Sequence, residues 1–248
     1  MKDKLLVVCQ SFLWCIMILV FPVVSGILSA VLSLGAAETV FLQGIFMALS
    51  LVPPSILILS GKWNPREIGF APFDLRGCKR ARYFIPLLLI FVPAAVRGFY
   101  IKSAGYVLGC FFLYLFVGMS EEVYFRGVIP RFLKRVFSAR GVILVSAAIF
   151  AAGHITAAFS CGSALEVVLS VLNAFLFGWM AMEMTVLSAN LLPAILTHFL
   201  FDFETKITVI GGSELLIAEI ARGILMFAMG IWMSAMTGKE QQSGGTPS

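Results

Sequence analysis

Residues 5–34 read LLVVCQSFLWCIMILVFPVVSGILSAVLSL, thirty positions without a charged side chain. At about 1.5 Å of rise per residue, a helix of about 20 such residues crosses the roughly 30 Å hydrocarbon core of a bilayer. The stretch is too long for the apolar core of a secretory signal peptide, which has about 7–15 residues. It therefore predicts a first transmembrane helix, tilted or kinked at Pro22.

The whole 248-residue chain has the same character, with 60% hydrophobic and 12% charged residues. In soluble domains about 45–50% of residues are hydrophobic and about 25% are charged. The composition therefore excludes a water-soluble globular protein. The net charge is +5, but no basic patch interleaved with aromatic residues indicates a nucleic-acid partner. The five cysteines form no CxxC pair, and we expect neither disulfides nor a zinc-thiolate site.

Uncharged runs recur along the chain and predict the positions of further membrane spans. Together with the first, they give eight helices, the others lying near 39–60, 83–100, 104–130, 140–158, 165–184, 188–203 and 215–236. The predicted fold class is all-α, a polytopic membrane protein with about eight transmembrane helices that enclose an intramembrane polar site. We expect one transmembrane domain over 1–240 and a polar tail over 241–248.

The basic residues predict the orientation of these spans, because Lys and Arg accumulate on cytoplasmic loops. With the N-terminus inside, only Arg97, Lys102 and Lys206 fall on outer loops. Thirteen fall on inner ones: Lys2, Lys4, Lys62, Arg66, Arg76, Lys79, Arg80, Arg82, Arg131, Lys134, Arg135, Arg140 and Lys239. This distribution predicts that both termini are cytoplasmic.

Ionisable residues inside the spans are costly in lipid, and each is a functional hypothesis by default. Glu121, Glu122 and Arg126 lie in one predicted helix. Glu122 and Arg126 are i,i+4 neighbours and form an intrahelical pair. Glu121 lies about 140° from Arg126 on the helical wheel and lacks that partner, so we predict that it is the reactive carboxylate and Glu122 the structural one. In the alternative reading, both glutamates only fix helix packing.

Three more ionisable residues lie in predicted spans: His154 in one helix, and His198 with Asp202 at i,i+4 in another. Glu183 and Arg222 lie nearer to span ends. Counted from the predicted cytoplasmic helix ends, Glu121 and His198 lie about 15 Å deep, and His154 and Asp202 about 21 Å. One buried polar site is therefore feasible. Such a site could activate water directly, bind zinc or iron, or relay protons in a transporter.

These residues form three motifs that resemble the CPBP family of intramembrane glutamic endopeptidases. That family comprises type II CAAX prenyl proteases and bacteriocin-processing or self-immunity proteins. The EExxxR motif is Glu121 to Arg126, the FxxxH motif is Phe150 to His154, and the HxxxN/D motif is His198 to Asp202. Residues 175–178 also resemble the intervening family helix. The resemblance covers about 112–203, the motif-bearing core.

The resemblance implies a peptidase that needs no metal or other cofactor, with zinc as the less favoured alternative. Glu121 would be the base, His154 its partner, and His198 with Asp202 the oxyanion side, while Glu122 and Arg126 would hold the site together. The last position is commonly asparagine in the family. A carboxylate facing an oxyanion would oppose it, so Asp202 must be protonated or must orient a charged His198.

We therefore expect an integral protein of a prokaryotic cell membrane that cleaves a membrane-associated peptide, lipidated or leader-type, at a water-filled site open to the cytoplasm. Bacteriocin processing is one such activity in the family. The alternative is a non-proteolytic immunity or scaffold protein that retains the motif residues as structure.

Overall fold

The computed structural model describes residues 2–71, 82–96, 98–100, 103–159, 163–209 and 212–242. Within them the chain is almost entirely helical, and a single β-bridge joins Phe99 to Thr208. Six helices in the described part of the chain are long and apolar enough to cross a membrane: Asp3–Val31, Ala36–Leu59, Ala104–Leu133, Ala139–Thr156, Ala164–Ser188 and Ser213–Gly238. The predicted class, an all-α polytopic membrane protein, is confirmed.

The helices are labelled in chain order. They are α1 (Lys2–Val31), α2 (Ala36–Leu49), α3 (Val52–Leu59), α4 (Val92–Ala95), α5 (Ala104–Glu122), α6 (Ile129–Leu133), α7 (Ala139–Gly153), α8 (Ala164–Ser188), α9 (Leu192–Ile207) and α10 (Gly212–Gln242). A π-helical turn, Val123–Val128, joins α5 to α6, and 3₁₀ segments occupy Pro65–Ile68, Arg82–Ile90 and His154–Phe159. α1 continues through Pro22 as one helix.

The predicted number of eight spans is not confirmed, because two of the eight correspond to short elements. The segment predicted at 83–100 is the 3₁₀ helix Arg82–Ile90 followed by the four residues of α4. Pro86 and Pro93 lie in these pieces, and proline lacks the N–H that a continuous α-helix needs. The segment predicted at 188–203 is α9, which begins only at Leu192, where the Asn190 side chain accepts the Leu192 N–H at 2.8 Å.

The helix ends gather on two faces of the molecule, and one of them carries most of the basic residues. We call it the basic face. It contains the start of α1, residues 61–71, residues 131–140, the turn 189–191 and the end of α10. Its contacts include Lys4 at 5.7 Å from the Phe137 ring, Arg131 Nη1 at 2.6 Å from Glu67 Oε2, Asn190 donating to the Ala71 carbonyl at 2.8 Å, and a pocket shared by Arg140 and Gly238.

The other helix ends form the opposite face. Tyr100 N–H donates to the Ile207 carbonyl at 2.6 Å, and Val209 N–H donates to the Gly98 carbonyl at 3.1 Å. Several residues used in the orientation argument lie outside the described residues: Arg76, Lys79, Arg80, Arg97 and Lys102, with Cys78, Cys161 and the tail from 243.

Two helices that carry ionisable residues, α5 and α9, touch backbone to backbone. A Cβ added at Gly118 of α5 would lie 2.9 Å from the Phe199 amide nitrogen and 3.1 Å from the Ile195 carbonyl oxygen. Glycine is the one residue that permits this approach without displacement. The contact brings α9 close enough for His198 to reach the glutamates of α5.

Candidate active site

The two adjacent glutamates end α5, and the π-helical turn Val123–Val128 begins directly after them. A π turn holds one extra residue and leaves a backbone carbonyl in need of another donor. The Ser146 hydroxyl of α7 donates to the Phe125 carbonyl. All six residues of the turn are buried. The sequence indicated a continuous α-helix over 104–130, and no propensity signal marks the turn.

Glu122 connects two of the predicted site groups. Its Oε2 lies 3.0 Å from Arg126 Nε, and its Oε1 lies 2.7 Å from His198 Nδ1. The carboxylate is fully buried. The guanidinium of Arg126 lies 4.3 Å from the centre of the Phe150 ring, within cation–π range. The sequence related Glu122 only to Arg126, because His198 is 76 residues away.

His198 lies at the centre of the cluster, with carboxylates near both ring nitrogens. Glu122 faces Nδ1, while Nε2 lies 3.5 Å from Asp202 Oδ2 and 3.7 Å from Glu121 Oε2. The Phe177 ring packs against the imidazole, with centroids 4.7 Å apart. The ring is therefore held by an aromatic contact and by three acidic side chains from two helices.

His154 follows the last residue of α7. Its Nδ1 lies 3.1 Å from the Phe150 carbonyl oxygen. A carbonyl can only accept, so this geometry assigns a proton to Nδ1, and in the Nδ1–H tautomer Nε2 is the acceptor nitrogen. The His154 and Phe150 rings lie 4.6 Å apart.

Two cavities meet at His154 and Phe150. The small cavity, about 170 Å³, is lined by Glu121 and His154 together with Ile18, Leu19, Pro22, Met47, Phe125, Phe150, Gly153 and Thr156. The large cavity, about 470 Å³, is lined by His154, His198 and Asp202 and by parts of α5, α8, α9 and α10. A site of this size with several polar groups can hold water.

The large cavity reaches the opposite face. It extends to Glu166, Lys206 and Leu215, which lie within three residues of the ends of α8, α9 and α10 on that face. The sequence predicted a site open to the cytoplasm, the side on which it also placed the basic loops. The large cavity reaches the face opposite to the basic face.

The predicted residues therefore meet in one place, on α5, α7 and α9. A protein-family model described as type II CAAX prenyl endopeptidase Rce1-like matches residues 103–203. We call these matched residues the Rce1-like domain. The match confirms the resemblance drawn from the three motifs and begins nine residues before the predicted core at 112. No curated protein sequence and no solved structure matches the chain.

Two other ionisable residues, Glu183 and Arg222, lie outside the group around His198. Arg222 of α10 pairs with Glu204 at 2.5 Å and with Glu219 at 3.2 Å, and donates to Thr205 at 2.9 Å. This cluster fastens the last turn of α9 to α10, and its residues all lie beyond the matched range 103–203.

Glu183 forms a separate polar contact between α8 and α10. It accepts hydrogen bonds from Thr237, at 2.7 Å, and from Ser234. Neither Glu183 nor Arg222 is part of the candidate site. Among the described residues, no group of three His, Cys, Asp or Glu side chains is arranged to hold a metal ion.

The contacts of the two glutamates predict different effects on stability. Glu122→Gln leaves Arg126 buried without a counter-charge, which costs about 3–5 kcal/mol. In detergent, the thermal midpoint should fall by roughly 6–20 °C. Glu121 is partly exposed, and its nearest ionic contact is at 3.7 Å, so Glu121→Gln should keep the wild-type midpoint. A double change, Glu122→Gln with Arg126→Gln, should recover part of the loss. Equal destabilisation by the two single changes would contradict this division.

Proposed function

We propose that the chain is an intramembrane endopeptidase that hydrolyses a peptide bond of a membrane-associated peptide with a water activated by Glu121 and His154. The Rce1-like family is a protease family. The observation that carries the proposal is that Glu121 and His154, from two helices of this domain, line one small cavity next to His198. A general base must lie within hydrogen-bond reach of the water that it deprotonates.

The small cavity supplies the water. His154 Nε2 accepts one hydrogen of that water, because Nδ1 is already directed at the Phe150 carbonyl. Glu121 accepts the other hydrogen and takes it as a proton when the oxygen attacks the carbonyl carbon of the substrate. The same proton passes to the leaving amine when the carbon–nitrogen bond breaks, so that Glu121 is regenerated as a carboxylate.

The substrate carbonyl lies in the large cavity beside His198. With Nδ1 bonded to Glu122 at 2.7 Å, a protonated His198 donates from Nε2 to the oxygen that becomes negative during attack. Such a preorganised donor stabilises the transition state more than the ground state. Asp202, 3.5 Å from Nε2, holds the imidazolium in place and does not itself face the oxyanion.

In this mechanism Glu122 and Arg126 act through His198. Arg126 fixes one oxygen of Glu122, and the other oxygen fixes the imidazole. A group that orients another group in this way preserves catalytic geometry. The four side chains Arg126, Glu122, His198 and Asp202 thus form one continuous support for the oxyanion side.

The first functional prediction concerns Glu121. Full-length protein in proteoliposomes would be given internally quenched peptides with and without a farnesylated CAAX terminus, and peptides that accumulate in membranes of cells carrying Glu121→Gln would be identified by mass spectrometry. Loss of a general base reduces turnover by about 10²–10⁴. The matched control is Glu38→Gln, because Glu38 is an exposed carboxylate in the first turn of α2.

Two results would overturn the proposal. Wild-type rates for Glu121→Gln would remove its role as the base. The absence of any cleaved or accumulated peptide for the wild-type protein would favour the non-proteolytic immunity or scaffold function.

The mechanism also predicts that activity needs no metal ion. Cleavage should be unchanged after incubation with a membrane-permeant chelator, because the nucleophile is activated by Glu121 and His154 alone. Activity that disappears with the chelator and returns with zinc would instead assign a metallopeptidase.

Asp202 is tested by two substitutions with different consequences. Asp202→Ala removes the group that holds His198 and should lower turnover by about 10²–10³, the usual effect of losing one oxyanion donor. Asp202→Asn should retain substantial activity, since an uncharged side chain of the same shape can still hold the ring while Nε2–H donates to the oxyanion. If both variants fold and Asp202→Asn is as inactive as Asp202→Ala, the ionised carboxylate itself is required.

A further inference from the structure

The candidate site is closed toward the basic face by aromatic side chains, which we call the aromatic plug. Trp14 of α1 lies 5.5 Å from Trp63 and 5.6 Å from Tyr124, and Trp63 lies 6.2 Å from Phe132. The guanidinium of Arg131 covers the outer side, 5.3 Å from the Trp63 ring. The plug therefore joins α1 and residues 61–71 to the end of the Rce1-like helix α6.

A second set of side chains fills the space between Arg126 and the basic face. Ile68, Ile129, Leu133 and Leu191 are completely buried, with 0% exposure. A Cβ at Gly127 would lie 2.7 Å from the Ile68 carbonyl oxygen, so the backbones themselves are in contact. Close-packed apolar side chains leave no room for a water path. Neither water nor a peptide can reach Glu122 from this side without displacing them.

The large cavity leaves the site in the other direction. The large cavity extends along the first turns of α8 and α10 and the last turn of α9, all at the opposite face. The small cavity is lined by Pro22 of α1 and by Thr156 of the 3₁₀ segment His154–Phe159. It adjoins the large cavity at Phe150 and His154.

The charges of the two faces identify their sides of the membrane. Among the residues whose side chains the structure describes, Lys206 is the one Lys or Arg near the opposite face that is not buried, since Arg222, which contacts the last turn of α9, has 0% exposure. The basic face has seven such side chains: Lys4, Lys62, Arg66, Arg131, Lys134, Arg135 and Arg140. Lys2 and Lys239 also belong to the helix ends of this face. An excess of Lys and Arg on short loops marks the cytoplasmic side. The basic face is thus assigned to the cytoplasm and the opposite face to the exterior.

From the plug, the opening of the large cavity and the charges, we propose that the site opens to the extracytoplasmic side and accepts a peptide segment presented there. This inference rests on the proposed peptidase function for the nature of the ligand. The substrates of the protein are then segments of exported polypeptides or outward-facing segments of membrane polypeptides. A peptide confined to the cytoplasm would meet the basic face, where the site is sealed.

The test measures from which side a thiol in the large cavity can be reached. In a full-length variant without native cysteines, Ser170→Cys places a thiol in the cavity lining, about 9 Å below the start of α8. Val168→Cys is the matched control on the same helix, because Val168 is 60% exposed on the outer surface and does not line the cavity. Arg135→Cys reports the basic face.

Intact bacterial cells expressing each variant are treated with a small, charged, membrane-impermeant thiosulfonate. Ser170→Cys should react in intact cells at least tenfold faster than Val168→Cys, and Arg135→Cys should react only after permeabilisation. Reaction of Ser170→Cys only after permeabilisation, or at no more than the Val168→Cys rate in both conditions, overturns the proposal. So does labelling of Arg135→Cys in intact cells. The labelling requires no hydrolysis, so its failure is separate from a failure of the peptidase activity.

Discussion

The hydrogen bond between Glu122 and His198, 2.7 Å long and fully buried, is the contact on which the candidate site depends. It crosses from α5 to α9, and it exists only because Gly118 lets these helices touch. Arg126 fixes the other oxygen of the same carboxylate. Without this bond, neither the orientation of His198 nor its distances to Glu121 and Asp202 would be determined.

Burying this much charge inside a membrane protein is costly, and the surrounding residues reduce the cost. Removing one member of a buried ion pair usually destabilises more than the pair ever stabilised. Here the carboxylate of Glu122 contacts both Arg126 and His198. The rings of Phe150 and Phe177 pack against the guanidinium of Arg126, with their centres 4.3 Å and 5.7 Å away. The second cluster, around Arg222, anchors the far end of α9 in the same way. His198 and Asp202 are thus held between two ionic anchors.

Local geometry explains which of these features could be predicted from sequence. Uncharged runs and capping serines such as Ser103 and Ser163 define helices within one stretch of chain, and an i,i+4 pair such as Glu122 and Arg126 follows from the helical repeat. The bond from Glu122 to His198 joins residues 76 positions apart, and no periodicity encodes it. The π turn at Val123–Val128 also has no propensity signal. Pro86 and Pro93 are a sequence signal that the segment over 83–100 does not form one continuous α-helix.

The direction in which the site opens is the clearest case of a property that depends on packing. Depth counted along single helices places Glu121 and His198 about midway, equally consistent with access from either side. What decides between the sides is the position of large apolar groups contributed by segments distant in sequence. Trp14, Trp63 and Ile68 come from outside the Rce1-like domain, yet they fill the space between its charged residues and the basic face. The domain supplies the polar groups, and the residues before it determine from which side those groups can be reached.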